Sequence, residues 1–111
     1  MKNSINKVTL SGNIGTIPTI KTTASNKKMA FLSLGTHEFL KTEEGKLKKI
    51  TIWHKVILTG KLAEIGESLL TKGAAVQVAG KLVNRLVKSK DGLVHKTTEI
   101  RAKDIVIMGK A

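Results

Sequence analysis

Few residues in this 111-residue chain have types that could do chemistry: His37, His54 and His95, the adjacent carboxylates Glu43 and Glu44, a Gly60-Lys61 pair, and the single tryptophan, Trp53. The three histidines share no metal-ligand spacing such as H-E-x-x-H. No cysteine is present to act as a nucleophile or a thiolate ligand. Glu43 and Glu44 stand beside a glycine in a lysine-rich turn, where solvated charge explains them better than acid–base work. Gly60-Lys61 resembles the end of a phosphate-binding loop but lacks the upstream glycine and the following Ser or Thr. The expectation is a non-enzymatic protein with no catalytic residue, no metal and no cofactor.

The cations say more. Twenty Lys and Arg against eight Asp and Glu give a formal charge of +12 and a pI near 10.2. Such an excess repels itself in a compact chain and suits a polyanionic partner. The charges cluster: Lys41, Lys46, Lys48, Lys49 and Lys55 in one stretch, and Lys81, Arg85, Lys88, Lys90, Lys96, Arg101 and Lys103 in another. In "ITIWHKVILTG", strand alternation puts Ile52, His54, Val56 and Leu58 on one row and Trp53 with Lys55, Ile57 and Thr59 on the other. An aromatic on a cationic outer face suits base stacking, worth about 1–3 kcal/mol per base. A lone tryptophan as core filler is the competing reading, and parity leaves both open.

These residues must be positioned by short elements. "NKVTLSGNIG", "MAFLSLGTHEF" and "KKITIWHKVILTG" read as strands, the last two joined by a turn at "TEEGK" where Gly45 accommodates positive φ. In "KLAEIGESLLTKG", Leu62, Ile65 and Leu69 fall at helical spacing, Gly66 weakens the pattern, and Gly73 marks a stop. Two more strands follow, "AAVQVAGKLVNRL" and "HKTTEIRAKDIVIMG", with Asp91-Gly92 as their hairpin turn and Gly80 as a bulge or a tight barrel bend. Three strands, a helix, then two strands is the order of the OB-fold, a five-stranded Greek-key barrel with its helix between strands 3 and 4. Another small α+β sheet shares that pattern. In the barrel, the two cationic stretches become the two long hairpins, flanking Trp53 and Lys55 like a groove that tracks a phosphate backbone.

Length fits one domain, residues 1–111. The N-terminus lacks the apolar stretch of a signal peptide, and no apolar run approaches the ~20 residues of a membrane span. A soluble, cytoplasmic protein is expected. Binding to a membrane surface fits poorly, since the lone helix carries Glu64 and Glu67.

In order and spacing, "INKVTLSGNIGTIPTIK", "TIWHKVILTGKLAE", "KGAAVQVAGKL" and "HKTTEI" resemble motifs of the bacterial-type single-stranded DNA-binding proteins, across essentially the whole chain. The resemblance implies an OB-fold, usually a homotetramer, that binds single-stranded DNA without sequence preference in replication, recombination or repair. It implies base stacking for Trp53 and a groove position for Lys55. Lys7, Lys21, Lys61, Lys72 and Arg85 fall where the family is commonly basic, and Lys49 and Lys88 join them from the hairpins. His54 matches a histidine at the subunit contact; the alternative is a polar residue tolerated on an apolar row.

The departures are informative. The family's aromatic after strand two falls at Leu40, so Phe39 serves in its place only if a bulge shifts the register. Two further aromatic positions fall at Thr59 and Val87, leaving Trp53 and Phe39 as the stacking surface and the lysines to carry more of the affinity. The chain stops at "IMGKA", without the acidic tail through which typical members recruit partners, so tail-mediated recruitment is not expected. A tail-less OB protein of this size also resembles the dimeric primosomal replication protein N. An OB-fold RNA-binding protein is the alternative from another class.

Overall fold

The computed structural model describes residues 3–109, so Lys110 and Ala111 of "IMGKA" lie outside the described residues. In order, the elements are β1 (Val8–Ile14), β2 (Thr19–Thr22), β3 (Lys28–Lys41), β4 (Leu47–Thr59), α1 (Lys61–Leu69), β5 (Ala75–Lys88) and β6 (Val94–Gly109). The sheet runs β1-β5-β6-β4-β3-β2, and a further β1–β3 pairing closes it on itself. Closure uses Asn13 opposite Gly35 and Ile14 opposite Leu34 on one side, and the parallel pairs Val56–Ile100 and Ile57–Arg101 on the other. The result is a five-stranded OB barrel of β1, β3, β4, β5 and β6, with its helix before the last two strands.

β2 is an added short strand that pairs only with β3, and the sequence pattern did not reveal it. Its "TIKT" is too short to show a period. Gly80 does mark a bulge, since the β5–β6 register shifts between Ala79 and Gly80.

Alternation builds the core. Ala30, Leu32 and Leu34 of β3 and Val56 and Leu58 of β4 point inward with Val76 and Val78 of β5 and Ile100 and Ala102 of β6. All nine are close-packed, where deleting a Leu side chain costs about 2–5 kcal/mol. α1 covers one end of the barrel through Ala63 and the buried Gly66. A Cβ on Gly66 would come within 2.7 Å of Leu58 Cδ1, so this glycine lets the helix sit close instead of weakening it. Leu69, expected on the buried stripe, is 59% exposed. The chain leaves the helix at Leu70 in an extended conformation, and Leu70 fills the core position instead. The stop therefore comes before Gly73, which lies in the next turn and donates its N–H to Ile14 O at 2.7 Å.

Two ribbons, β3–β4 and β5–β6, run out beyond the barrel and stretch the molecule to 55 × 40 × 34 Å. Ile52, read as part of the apolar row, is 43% exposed because the ribbon has already left the barrel there. The turns at Thr23–Lys27, Thr42–Lys46 and Ser89–Leu93 share one geometry: the first N–H donates to the last carbonyl, and the fourth residue is left-handed. Asn26, Gly45 and Gly92 hold that position, the residue types that tolerate it best.

Candidate nucleic-acid interface

The β3–β4 register is unbroken from Met29–Thr59 to Lys41–Leu47, so partners straddle the Gly45 turn at constant offset. Directly opposed residues share a face. That register puts Trp53 opposite Gly35, Lys55 opposite Ser33, Ile57 opposite Phe31 and Lys49 opposite Phe39, all facing away from the barrel interior.

Trp53 lies on a glycine floor. A Cβ on Gly35 would come within 2.8 Å of the indole Cζ3, and one on Gly15 within 2.3 Å. Gly15 is held under the ring by its N–H, which donates to Ser33 O at 2.8 Å. Only residues without side chains allow an indole to lie this close to two strands. With one side supported, the residue remains 59% exposed, which disposes of the core-filler reading.

Phe39 is 63% exposed and has the same parity as Trp53. No bulge is needed to bring it there, because the continuous register sends Leu40 to the opposite face. The two rings are separated by the pair His37–Thr51, whose side chains are joined by a 3.0 Å hydrogen bond. Along the ribbon their positions are four residues apart, about 13 Å at ordinary strand rise.

Lys55 continues the outer row past Trp53, and Lys49 stands beside Phe39. Lys21 and Arg85 join Lys55 around an open cleft of about 390 Å³. The other expected cations lie away from its lining. Lys7 directly precedes β1, whose neighbour Asn6 is tied to Leu82 by two 2.9 Å hydrogen bonds. Lys61 opens α1 in a separate depression with Lys27, Lys28 and Glu64. Lys72 sits in the turn before β5, and Lys88 at the outer end of the β5–β6 ribbon, opposite Val94. His54 lies on the inner row opposite Leu34, half-buried, with Nε2 2.9 Å from Thr36 Oγ1. One of its two ring nitrogens thus has a partner within the chain.

Sequence reasoning missed three parts of this face: the glycine floor, Phe31 and Glu99. Phe31 lines the cleft, with Lys21 Nζ 5.5 Å and the Arg85 guanidinium carbon 5.2 Å from its ring centre. Both are within cation–π range. On the outer face Phe31 is also the diagonal neighbour of Thr59, one of the positions where an aromatic was expected and not found. Glu99 is 3% exposed, and Arg85 clamps it with Nε to Oε1 at 2.7 Å and Nη2 to Oε2 at 2.9 Å. Those hydrogen bonds hold the Glu99 carboxyl below its ordinary pKa and outweigh its burial, with smaller help from the charges of Arg85 and Lys55. The same pairing raises Arg85 above its usual value. A signal for the floor and for Phe31 was available. Pairing outward from the "TEEGK" turn at constant offset reaches Gly35 opposite Trp53, then Phe31 two same-face pairs further on.

Among the described residues no group of three or more His, Cys, Asp or Glu is placed to hold a metal ion. No described helix is long and apolar enough to cross a membrane. The arrangement is one for contact: exposed aromatics on one face of a ribbon, interleaved with lysines, beside a cleft edged by cations.

Comparison with known proteins gives the same picture. Residues 5–108 match the model of the single-strand binding protein family. The chain is 37% identical over 109 residues to a single-stranded DNA-binding protein of Xanthomonas campestris pv. campestris, covering 98% of this chain and 63% of that relative. A single-stranded DNA-binding protein 1 of Xylella fastidiosa is 36% identical over 108 residues, covering 96% and 79%. The chain thus spans just under two thirds of the length of the Xanthomonas relatives it matches. Among solved structures, Plasmodium falciparum SSB in complex with ssDNA superposes with a TM-score of 0.82 at 29% identity, over 96% of this chain and 97% of that one. A deletion mutant of the Thermus aquaticus single-stranded DNA binding protein gives 0.80 at 29% identity, over 97% of this chain and 52% of that one.

Proposed function

Given that the chain belongs to the single-strand binding protein family, we propose that it binds and protects single-stranded DNA without sequence preference during replication, recombination or repair. Residues 1–111 act in this reading as one cytoplasmic binding domain with no catalytic step. The observation that carries it is the Trp53 indole, braced on Gly15 and Gly35 and open on its other side, in line with Lys55 and Phe39. A base stacks on Trp53 and another on Phe39, while lysines replace the counterions of the phosphates between them. Lys55, Lys49, Lys21 and Arg85 edge this path directly. Lys7, Lys61, Lys72 and Lys88 extend the positive surface around it. The similar Plasmodium falciparum structure, which holds ssDNA, supports this use of the fold.

Trp53 is the only tryptophan, so its fluorescence reads the site alone. Saturating oligo(dT) quenches it; emission that stays constant through saturation refutes the stacking role. Competition with oligo(dU) and with a structured RNA separates this reading from an OB-fold RNA binder, since it requires the unstructured DNA strand to win.

The protein works as an oligomer, a homotetramer in preference to a dimer, with His54 at a subunit contact. Light scattering with and without oligo(dT) tests this. A tetramer fits the main family, whereas a dimer favours the relationship to primosomal replication protein N.

A further inference from the structure

Phe31 occupies the same outer face as Trp53 and Phe39, four residues from the Trp53 pair along the ribbon, so the three aromatic positions are evenly spaced at about 13 Å. Its directly opposed partner on that face is Ile57, which is 4% exposed between Phe31 on one strand and Arg101 on the other. Unlike the Trp53 indole, the Phe31 ring has cations over it. Those two cations are held differently. Arg85 is fixed in position by both oxygens of the buried Glu99. Lys21 forms no ion pair with any described acidic residue, and its ammonium rests over the ring at the mouth of the cleft.

We propose that Phe31 is a third base-stacking position, covered by Lys21 in the free protein and uncovered when a DNA phosphate draws that ammonium away. A nucleobase then enters the cleft onto the ring beside the fixed guanidinium of Arg85, with Ser33 and Lys55 along the path back to Trp53. A phosphate is a stronger partner for an ammonium than a ring face is, because it meets a full charge and not a quadrupole. The strand's own backbone therefore opens the position, and nothing else in the barrel has to move. Glu99 acts here as a positioning residue, since without it Arg85 would be as free as Lys21 to follow the phosphates. This inference rests on the reading of the chain as a single-strand binder.

The test uses Phe31→Leu, which keeps apolar volume against Ile57 but removes the π face. Binding is read by Trp53 fluorescence with oligo(dT) and, by competition, with an abasic strand of the same length. Affinity for oligo(dT) falls about 5- to 100-fold, affinity for the abasic strand is unchanged, and the salt slope stays that of the parent. Unchanged oligo(dT) affinity in Phe31→Leu, with Trp53→Ala still weakened when followed by the anisotropy of a dye-labelled oligo(dT), overturns the third position and leaves the single-strand reading standing. Failure of the parent protein to bind oligo(dT) overturns both. A second variant guards against misfolding: Phe31→Trp in a Trp53→Phe background places the only indole at the proposed position. Its emission is quenched by saturating oligo(dT) and not by the abasic strand. Emission that ignores both overturns the proposal.

Discussion

The two faces of the β3–β4 ribbon are built from alternate residues of the same strands and have opposite characters. Inside stand Ala30, Leu32, Leu34, Val56 and Leu58, buried and uniformly aliphatic. Outside stand Phe31, Ser33, Gly35, Trp53 and Lys55, where aromatic, hydroxyl, glycine and cation follow one another along about 13 Å of ribbon. The inner face is enclosed on every side, so it accepts only volume that packs. The outer face is covered on one side only, so an aromatic there can be braced from below and still meet a ligand from above. Alternation separates stability from recognition at a resolution of one residue.

That separation can be broken in graded steps. The largest effect is on the inner face: Leu34→Ala destabilises the fold by about 2–5 kcal/mol in urea unfolding. The fraction that remains folded keeps its affinity for oligo(dT). Across the sheet, Trp53→Ala does the reverse, weakening oligo(dT) binding by about 1–3 kcal/mol with little change in the urea midpoint. A collapse of the fold in Trp53→Ala would erase the distinction between the faces.

Between these extremes lies Glu99, a buried charge at the edge of the binding cleft. Glu99→Gln removes the charge from the Arg85 clamp and costs about 1–3 kcal/mol at pH 7. Because the folded-state pKa of Glu99 is depressed, its stabilisation is fully present above the unfolded glutamate pKa of about 4.3 and is lost as pH falls through the lower folded value. The stability gap between parent and variant is therefore constant near neutrality and closes in acid; a gap that widens on acidification contradicts the clamp.

The smallest effects sharpen the map of the outer face. Lys55→Gln lowers the slope of log affinity against log salt by about 0.7, the value for one phosphate contact on a single strand. Lys61→Gln, from the separate depression beside α1, changes the slope less. Equal losses would mean that the strand wraps past the helix as well.

Much of this was legible beforehand. The order of elements, the hairpin turns at Gly45 and Gly92 and the outward parity of Trp53 all follow from periods of a few residues and from local turn chemistry. β2 and Leu70 were not legible. β2 exists because β3 offers an edge to pair with, and Leu70 is buried because the chain turns inward where α1 ends. Phe39 shows the limit of comparison by gapless matching alone: the face it occupies follows from the register, which only the turn and the ladder define.

Composition and alternation already specified a basic, strand-rich domain with one tryptophan among its cations, because charge excess and side-chain parity are properties of the chain itself. That Gly15 lies beneath that tryptophan and that Arg85 shares a cleft with Phe31 were decided by barrel closure. Those two contacts join residues far apart in the chain, and they exist only once β1, β3, β4 and β5 are brought round into one barrel.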